Sequence, residues 1–229
     1  GKVLIPIPAV GRAQEIMMVI DHYMKSGEMV EAPVFTEGMI SEASAIHESY
    51  PEYLARELKQ KILETDDNPF DSEYFTNIEH ADAREEPMRE NSPCIILATS
   101  GMLEGGPVLE YFKNIAPDTK NKVLFVSYQV NGTMGRRVLD GSKQCSMLGK
   151  EGKVEVVSVN CGVEKLDGFS GHSDYNQLMS FVQRLRPKLR RVLVNHGERS
   201  KSENLAMNIR RTYKLAAHYP QIQEAIKLF

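Results

Sequence analysis

Short apolar runs of strand length alternate with segments of helical periodicity along this chain. The apolar runs predict strands over residues 3–7, 34–35, 94–98, 122–126, 154–159 and 191–194, and we expect the last of these to be the final strand. Apolar residues three or four positions apart predict helices over 13–24, from about 41 to 62 with a break near Pro51, from about 107, and over 175–185 and 203–215. This alternation predicts an α/β fold with a mainly parallel sheet covered by helices.

One stretch departs from the alternation. Residues 66–89 are polar and acidic and contain an Asn-Pro pair at 68 and 69, so we expect an irregular excursion there. The chain shows no internal repeat and no low-complexity tract.

Composition narrows the class of protein. Of the 229 residues, 41% are hydrophobic and 26% are charged, which is ordinary for a globular chain. No apolar run approaches the roughly 20 residues that a membrane span needs, so no membrane partner is expected. The net charge of −3 speaks against extensive binding to duplex nucleic acid but allows a local basic groove. Three widely spaced cysteines without a CxxC pair exclude a zinc ribbon, disfavour a disulfide framework and favour a reducing, cytoplasmic location.

The first residues carry their own signal. The sequence opens on Gly1 without an initiator Met and enters a strand at once. This opening is too short, and too broken by Pro6 and Pro8, to form a signal peptide. We therefore expect the sequence to be a piece of a longer protein.

Four segments that follow predicted strands are candidates for chemistry. In an open α/β sheet, binding sites form at the carboxyl ends of strands. The four segments are residues 8–12, 99–102, 128–137 and 194–198.

Two of these segments suit phosphate groups. Ser100 and Gly101 form a small-residue turn whose backbone N–H groups can approach an anion closely. Arg136 and Arg137 follow Gly135, and adjacent guanidinium groups suit phosphate contact. The residues alone leave simpler alternatives open, since a Ser-Gly pair is often only a turn and an Arg pair often only a solvated face.

Two histidines are placed for ligation or catalysis. His196 directly follows a predicted strand and precedes Gly197. His172 stands beside Gly171 at a helix entrance, where we expect Asp174 to cap the helix that follows. Taken alone, each is equally consistent with a structural role. The histidines assigned to the surface or to helix packing are His22, His47, His80 and His218.

The order and the amino-acid sequences of these segments resemble those of the nucleases of the cleavage and polyadenylation specificity factor family. Residues 3–6 (VLIP) and 11–15 (GRAQE) resemble the opening of the β-CASP insert of that family, and residues 128–137 resemble its end. Residues 169–174 (FSGHSD) and 194–198 (VNHGE) resemble the family's motifs B and C. The resemblance covers essentially the whole chain and is specific as an ordered set. It points to the archaeal branch, which acts in RNA 3′-end formation and transcription termination.

The resemblance implies a fold and a division into domains. Residues 1–168 are expected to form a Rossmann-like β-CASP domain with a mainly parallel sheet. Residues 169–229 are expected to form the C-terminal segment of a metallo-β-lactamase αββα domain.

The resemblance also implies a zinc-dependent ribonuclease. In this family a metallo-β-lactamase domain holds two zinc ions, and the β-CASP domain clamps single-stranded RNA over them. By resemblance, His196 would be a zinc ligand, while His172 would contact the scissile phosphate and protonate the leaving oxygen. The residues expected to contact the RNA backbone are Ser100, Gly101, Arg136 and Arg137.

The metal site implied by the family is incomplete in residues 1–229. The family's main ligand motif, His-x-His-x-Asp-His, is absent from this sequence. One histidine cannot build a site for two zinc ions, because each zinc takes about four ligands. We therefore expect the isolated chain to cleave no RNA and to hold zinc incompletely or not at all, and we expect no separate metal site at His172 and Asp174.

The expected partners are single-stranded RNA, the transcription or 3′-end processing machinery, and a second copy of the protein. Residues 219–229 end on an alternation of Ile226, Leu228 and Phe229, which predicts an edge strand. Such a strand either returns to its own sheet or pairs with a partner. The family resemblance, which implies dimers through the C-terminus, favours a homodimer.

Two other classes of protein compete with the nuclease. A non-catalytic RNA-binding or scaffold subunit of a 3′-end processing complex is disfavoured because both His172 and His196 are present. A nucleotide-binding Rossmann protein is disfavoured because residues 9–13 (AVGRA) lack the G-x-G-x-x-G opening. The choice between endonuclease and exonuclease, and the RNA sequence preference, stay open.

Overall fold

The computed structural model describes residues 1–65, 67–89, 91–149, 152–169 and 171–228. The chain divides into two compact units, residues 1–169 and residues 170–229. Within the described residues, no helix is long and apolar enough to cross a membrane.

The first unit contains a central sheet, a small hairpin and surrounding helices. Its strands are β1 (Lys2–Pro6), β2 (Val34–Glu37), β3 (Phe75–Ile78), β4 (Cys94–Ala98), β5 (Lys122–Phe125), β6 (Gln144–Leu148), β7 (Val154–Ser158) and β8 (Gly162–Lys165). Its helices are α1 (Arg12–Lys25), α2 (Ile40–Ser49), α3 (Arg56–Glu64), α4 (Glu85–Arg89), α5 (Val108–Ile115) and α6 (Met134–Leu139).

The central sheet is parallel throughout. Its six strands lie in the order β3-β2-β4-β1-β5-β8, and each neighbouring pair is parallel. At its centre β1 pairs in register with β4, so that Lys2 lies opposite Cys94 and Pro6 opposite Ala98. This arrangement confirms the predicted α/β fold with a mainly parallel sheet.

Helices cover both faces of the sheet. Alternate residues of a strand point to opposite faces, so each strand contributes side chains to both layers. On one face Leu4 and Ile96 pack against α5 and α6; on the other face Ile5 and Leu97 pack against α1 and α2. A fully buried aliphatic or aromatic side chain contributes about 1.5–3 kcal/mol, so these two layers account for the position of the sheet. Helices on both faces also create a crevice between β1 and β4, at the carboxyl ends of the strands.

The region predicted to be irregular contains a strand. β3 pairs in parallel with β2, and a 3-10 turn (Ala81–Arg84) and the short helix α4 follow it. The prediction was wrong because β3 is an edge strand whose central residues, Thr76 and Asn77, are exposed. It therefore lacks the apolar run that identifies a buried strand. Residue 66 lies outside the described residues.

Two further strands of the first unit, β6 and β8, were not anticipated from the sequence. β6 forms an antiparallel hairpin with β7, which confirms the strand predicted over 154–159, and β8 is the edge strand beside β5. The segment 128–137 was predicted as a loop, but it ends in helix α6. The predicted helical stretch 41–62 is two helices, α2 and α3, and the break predicted near Pro51 is a 3-10 turn (Pro51–Tyr53).

The second unit is a small α/β layer. It contains α7 (Tyr175–Leu185), a 3-10 turn (Arg186–Lys188), β9 (Arg191–Leu193), α8 (Arg199–Tyr213) and β10 (Ala216–His218). β9 and β10 pair in parallel, so β9 is not the final strand, contrary to the prediction. The buried hydrophobic residues described in this unit are Met179, Val182, Val194, Ala206, Ile209 and Ala217.

The C-terminal segment is not a strand in its described part. Within residues 219–228 the chain has no strand; instead the N–H of Glu224 donates to the carbonyl oxygen of Gln221 at 3.0 Å. The Glu224 carboxylate in turn accepts the N–H of Gln221 at 2.8 Å and contacts His218 at 2.9 Å. A strand that returns to its own sheet is therefore absent from residues 219–228, and pairing with a second copy stays a prediction. Residue 229 lies outside the described residues.

Candidate functional site

Three of the candidate segments meet at one edge of the first unit. β4, β1 and β5 are adjacent parallel strands, so the segments that follow them leave the sheet at the same edge. Gly101 lies so close to Pro8 that a Cβ placed on it would stand 2.8 Å from Pro8 Cδ. The turn after β4 is therefore packed directly on the segment after β1, at the crevice where helices diverge to opposite faces.

The turn at Ser100 and Gly101 is held by its own backbone. The N–H of Ser100 donates to the carbonyl oxygen of Gly105 at 3.1 Å, and the Ser100 hydroxyl oxygen accepts the N–H of Glu104 at 3.3 Å. Among the described residues, the N–H groups of Gly101 and Met102 have no acceptor. Adjacent unsatisfied N–H groups form the type of concavity that binds anions.

A buried glutamine braces this turn against the segment after β5. Gln129 is 2% exposed, and its Nε2 donates to the carbonyl oxygens of Gly101 at 2.9 Å and Ser127 at 3.1 Å. The N–H of Gly135 donates to the carbonyl oxygen of Met102 at 2.9 Å. The two segments therefore form one hydrogen-bonded body. The sequence had marked Gln129 only as part of a resemblance, and its position three residues after the predicted strand 122–126 gave no separate signal of burial.

The two arginines lie on helix α6 and have different surroundings. Thr133 caps this helix by accepting the N–H of Arg136 at 3.2 Å. The Arg136 Nε is 2.8 Å from Asp140 Oδ2, while the Arg137 side chain is exposed. Consecutive helical residues point about 100° apart, so the two guanidinium groups leave α6 in different directions. The two arginines expected in a loop thus lie on a helix, and their contact with phosphate stays a prediction.

The segment after β1 is committed to internal contacts. The Arg12 guanidinium lies 5.9 Å from the centroid of the Phe169 ring and forms an ion pair with Glu15. Gln14, also buried, accepts the N–H of Gly11 at 2.7 Å and donates to the carbonyl oxygen of Ala9 at 3.1 Å. These contacts fix the start of α1. Within residues 8–12, the cation Arg12 is engaged with Phe169 and Glu15 and is not directed toward a ligand.

A buried ionic cluster at the end of β2 was not anticipated. The Glu37 carboxylate accepts hydrogen bonds from Arg84 Nε at 2.7 Å and from the Tyr111 hydroxyl at 2.6 Å. Burial, and then the hydrogen bond to Glu37, raises the pKa of Tyr111; the same carboxylate raises the pKa of Arg84. The cluster borders a cavity of about 450 Å³. Because its charges satisfy one another, we assign it to holding β2, α5 and the Ala81–Arg84 turn together.

His196 lies at the carboxyl end of β9 in the second unit. Its φ of 62° is in the left-handed region, which few residues other than glycine adopt. Its N–H donates to Asn195 Oδ1 at 2.7 Å, and its side chain is exposed. His196 borders a cavity of about 620 Å³, together with Tyr175 and Leu178 of α7. The strand end thus presents the imidazole to open space.

His172 precedes α7 and is held at the start of that helix. Asp174 and Gln177 cap each other: the Asp174 carboxylate accepts the N–H of Gln177 at 2.8 Å, and Gln177 Oε1 accepts the N–H of Asp174 at 2.9 Å. This confirms the predicted capping role of Asp174. His172 is exposed and, in the part of the chain that the structure describes, lies outside the lining of the cavity at His196. Residue 170 lies outside the described residues.

The residues present do not complete a zinc site by themselves. Across residues 1–65, 67–89, 91–149, 152–169 and 171–228, no group of three or more His, Cys, Asp or Glu side chains is arranged to hold a metal ion. Zinc takes about four ligands, so His196 is at most one of them.

Family models match both parts of the chain. The model of the Beta-Casp domain matches residues 13–138, which is more than half of the chain. This chain belongs to the Beta-Casp family. A second model, described as the Zn-dependent metallo-hydrolase RNA specificity domain, matches residues 156–220. The Beta-Casp match covers the turn at Ser100 and Gly101, which we call the braced turn, and α6 up to residue 138. The second match covers both His172 and His196.

Curated relatives of this Beta-Casp protein are named transcription termination factor FttA. The chain is 81% identical over 229 residues to that of Cenarchaeum symbiosum, 48% identical over 228 residues to that of Pyrococcus abyssi, and 45% identical over 228 residues to that of Methanocaldococcus jannaschii. All of the chain is covered in each case, but only 35–36% of the relative. The chain therefore spans about a third of the length of the curated relatives it matches.

Proposed function

We propose that this chain supplies the RNA-holding domain and one metal-ligand segment of a zinc-dependent ribonuclease that acts in RNA 3′-end processing and transcription termination. The observation that carries the proposal is the match to the Zn-dependent metallo-hydrolase RNA specificity domain over residues 156–220, which contains His172 and His196. The name of the relatives, transcription termination factor, supports the process. In this proposal residues 1–168 are the β-CASP domain, and residues 169–229 belong to the metallo-β-lactamase domain.

The two histidines have different roles in this proposal. His196 is one zinc ligand, because it follows the carboxyl end of β9 closely and lines a cavity. The described residues hold no group of three potential ligands, so a site of about four ligands needs residues from elsewhere in the protein. His172 carries the proton that the leaving oxygen receives, because its place before a capped helix presents it to substrate. Histidine is the side chain that most often serves as a general acid.

The braced turn and α6 hold the RNA backbone in this proposal. The unsatisfied N–H groups of Gly101 and Met102 are positioned to donate hydrogen bonds to phosphate oxygens. Arg137 is exposed and available, whereas Arg136 must exchange Asp140 for a phosphate. A solvent-exposed ion pair contributes about 0–1 kcal/mol, so this exchange costs little.

A homodimer through the C-terminus stays a prediction. The turn at Gln221 and Glu224 gives it no support from strand pairing within residues 219–228. Sedimentation of the full-length protein with and without residues 219–229 tests it: a dimer should become a monomer, and a truncated protein that stays dimeric places the interface elsewhere.

A non-catalytic RNA-binding subunit is the second candidate. The observation in its favour is that, among the described residues, no three potential ligands cluster. Both candidates bind RNA, but only the first cleaves it with a metal.

Cleavage of a 5′-labelled single-stranded RNA by the full-length protein separates the two candidates. We expect cleavage that a chelator abolishes and added zinc restores, and we expect the 229-residue chain alone to cleave nothing. When His172→Ala and His196→Ala are assayed in the same way, His22→Ala is the matched control. His22 is an exposed histidine on α1, in the first unit. RNA binding without chelator-sensitive cleavage would favour the second candidate.

A further inference from the structure

A dense group of cations lies at the far end of α7. Five basic residues fall within eight positions, spanning the last turn of the helix, the 3-10 turn and the start of β9. All five are exposed. We call this group the basic turn, and its members are Arg184, Arg186, Lys188, Arg190 and Arg191.

The basic turn lacks the acidic partners that accompany two other cations of the second unit, Arg199 and Lys201. In the part of the chain that the structure describes, Arg184, Arg186, Lys188 and Arg190 form no ion pair. Arg191 donates to the carbonyl oxygen of Lys227 at 2.9 Å, which leaves its charge uncompensated. By contrast, Arg199 pairs with Glu203 at 2.9 Å and Lys201 with Glu198 at 3.1 Å.

The charge of the two units differs in sign. Residues 170–229 contain eleven Lys and Arg against four Asp and Glu, while residues 1–169 contain seventeen against twenty-seven. The overall charge of −3 therefore conceals a basic second unit. Clustered like charges raise the local concentration of oppositely charged ligands and repel one another when no ligand is bound.

The basic turn is separate from the cavity at His196. Tyr175, which borders that cavity, is nine residues before Arg184 on the same helix, so the two lie about 14 Å apart along its axis at 1.5 Å per residue. β9 likewise begins at the basic turn and ends just before His196. The two features therefore occupy opposite ends of the second unit.

We propose that the basic turn is a second phosphate-binding surface, which holds single-stranded RNA by its backbone at a distance from the candidate reaction site. Its cations lie on a helix end and a short turn without an aromatic residue among them, so it grips phosphates rather than stacking bases. This inference rests on the proposed function, because RNA is the polyanion that it assigns to the protein.

The test compares two triple variants of the full-length protein. One replaces Arg184, Arg186 and Lys188 with Gln; the control replaces three exposed cations of the first unit that form no ion pair among the described residues. The control residues are Arg56, Lys120 and Lys143. Affinity for a fluorescent oligouridylate is measured between 0.05 and 0.5 M salt in chelator, so that no cleavage occurs.

The basic-turn variant should bind about 10- to 100-fold more weakly at ~0.1 M salt, with a salt slope smaller by about 2, because each phosphate contact in single strands contributes about 0.7. The control should match the parent. Replacing Arg184 and Arg186 with Lys should retain the parent slope, since charge is kept.

Equal slopes for the two triple variants would overturn the inference. A lower melting temperature in the basic-turn variant with unchanged RNA affinity would also overturn it, by showing that another part of the polypeptide covers this surface. So would a variant that binds RNA as the parent does but no longer binds an acidic protein. If the parent protein itself fails to bind the oligouridylate, the proposed function fails instead, and the two failures are thereby distinguished.

Discussion

At the scale of single residues, the candidate RNA-binding turn depends on a missing side chain. Gly101 is buried, and its backbone approaches Pro8 so closely that a Cβ would also stand 3.1 Å from the Pro8 nitrogen. The same residue offers its carbonyl oxygen to Gln129. The sequence alone suggested a simple small-residue turn, and the structure adds the reason why the residue is glycine.

Replacing Gly101 with Ala should therefore destabilise the chain and weaken RNA binding. Overpacking of a tight contact costs about 1–3 kcal/mol, and Pro8 is a rigid neighbour that cannot rotate away. Gly105→Ala is the matched control, since a Cβ there meets no atom within 4 Å. Chemical denaturation and RNA titration of both variants measure the difference. Equal stability of the two variants would contradict the packing described for Gly101.

At the scale of secondary structure, the start of α7 is fixed by a reciprocal cap. Asp174 and Gln177 satisfy each other's backbone N–H groups, and this cap directly follows His172. The orientation of a proposed acid thus depends on helix capping rather than on a rigid strand.

Removing the cap should loosen both the helix and the histidine. Asp174→Ala should cost about 1 kcal/mol of stability, whereas Asp174→Asn keeps an oxygen acceptor and should cost much less. In the full-length protein, the Ala variant should also cleave RNA more slowly while retaining its zinc. Thermal unfolding and cleavage rates measure these effects. A cost as large for Asn as for Ala would mean that the carboxylate charge, and not the cap, is what Asp174 contributes.

Elements with strong local signals were predictable, and edge elements were not. β4 is buried at all five positions, and α7 begins and ends where its periodicity indicates. β3 was missed because its exposed residues show no apolar run, and α6 because six residues with Gly135 inside give little helical pattern. For residues 219–228, the option of a strand that returns to its own sheet failed because alternation alone does not reveal a turn stabilised by Glu224.

At the scale of the whole molecule, the sequence indicated the candidate site residues but not the contacts that hold them in place. The order of motifs placed His172 and His196 in one segment, and the structure puts both in the second unit. The brace through Gln129 and the buried cluster of Glu37, Arg84 and Tyr111 arise from contacts between residues distant in sequence, which periodicity cannot show. The same holds for the basic turn, whose charge is hidden in the overall balance.

The central claim is that His196 binds metal and His172 does not, and zinc content measured beside single-turnover RNA cleavage in the full-length protein tests it most directly. His196→Ala should lower zinc content and cleavage together. His172→Ala should retain nearly full zinc and RNA affinity, while the cleavage step slows by about 10²–10⁴-fold, the usual contribution of a general acid. Loss of zinc in proportion to activity in the His172 variant, or full zinc in the His196 variant, would contradict the account.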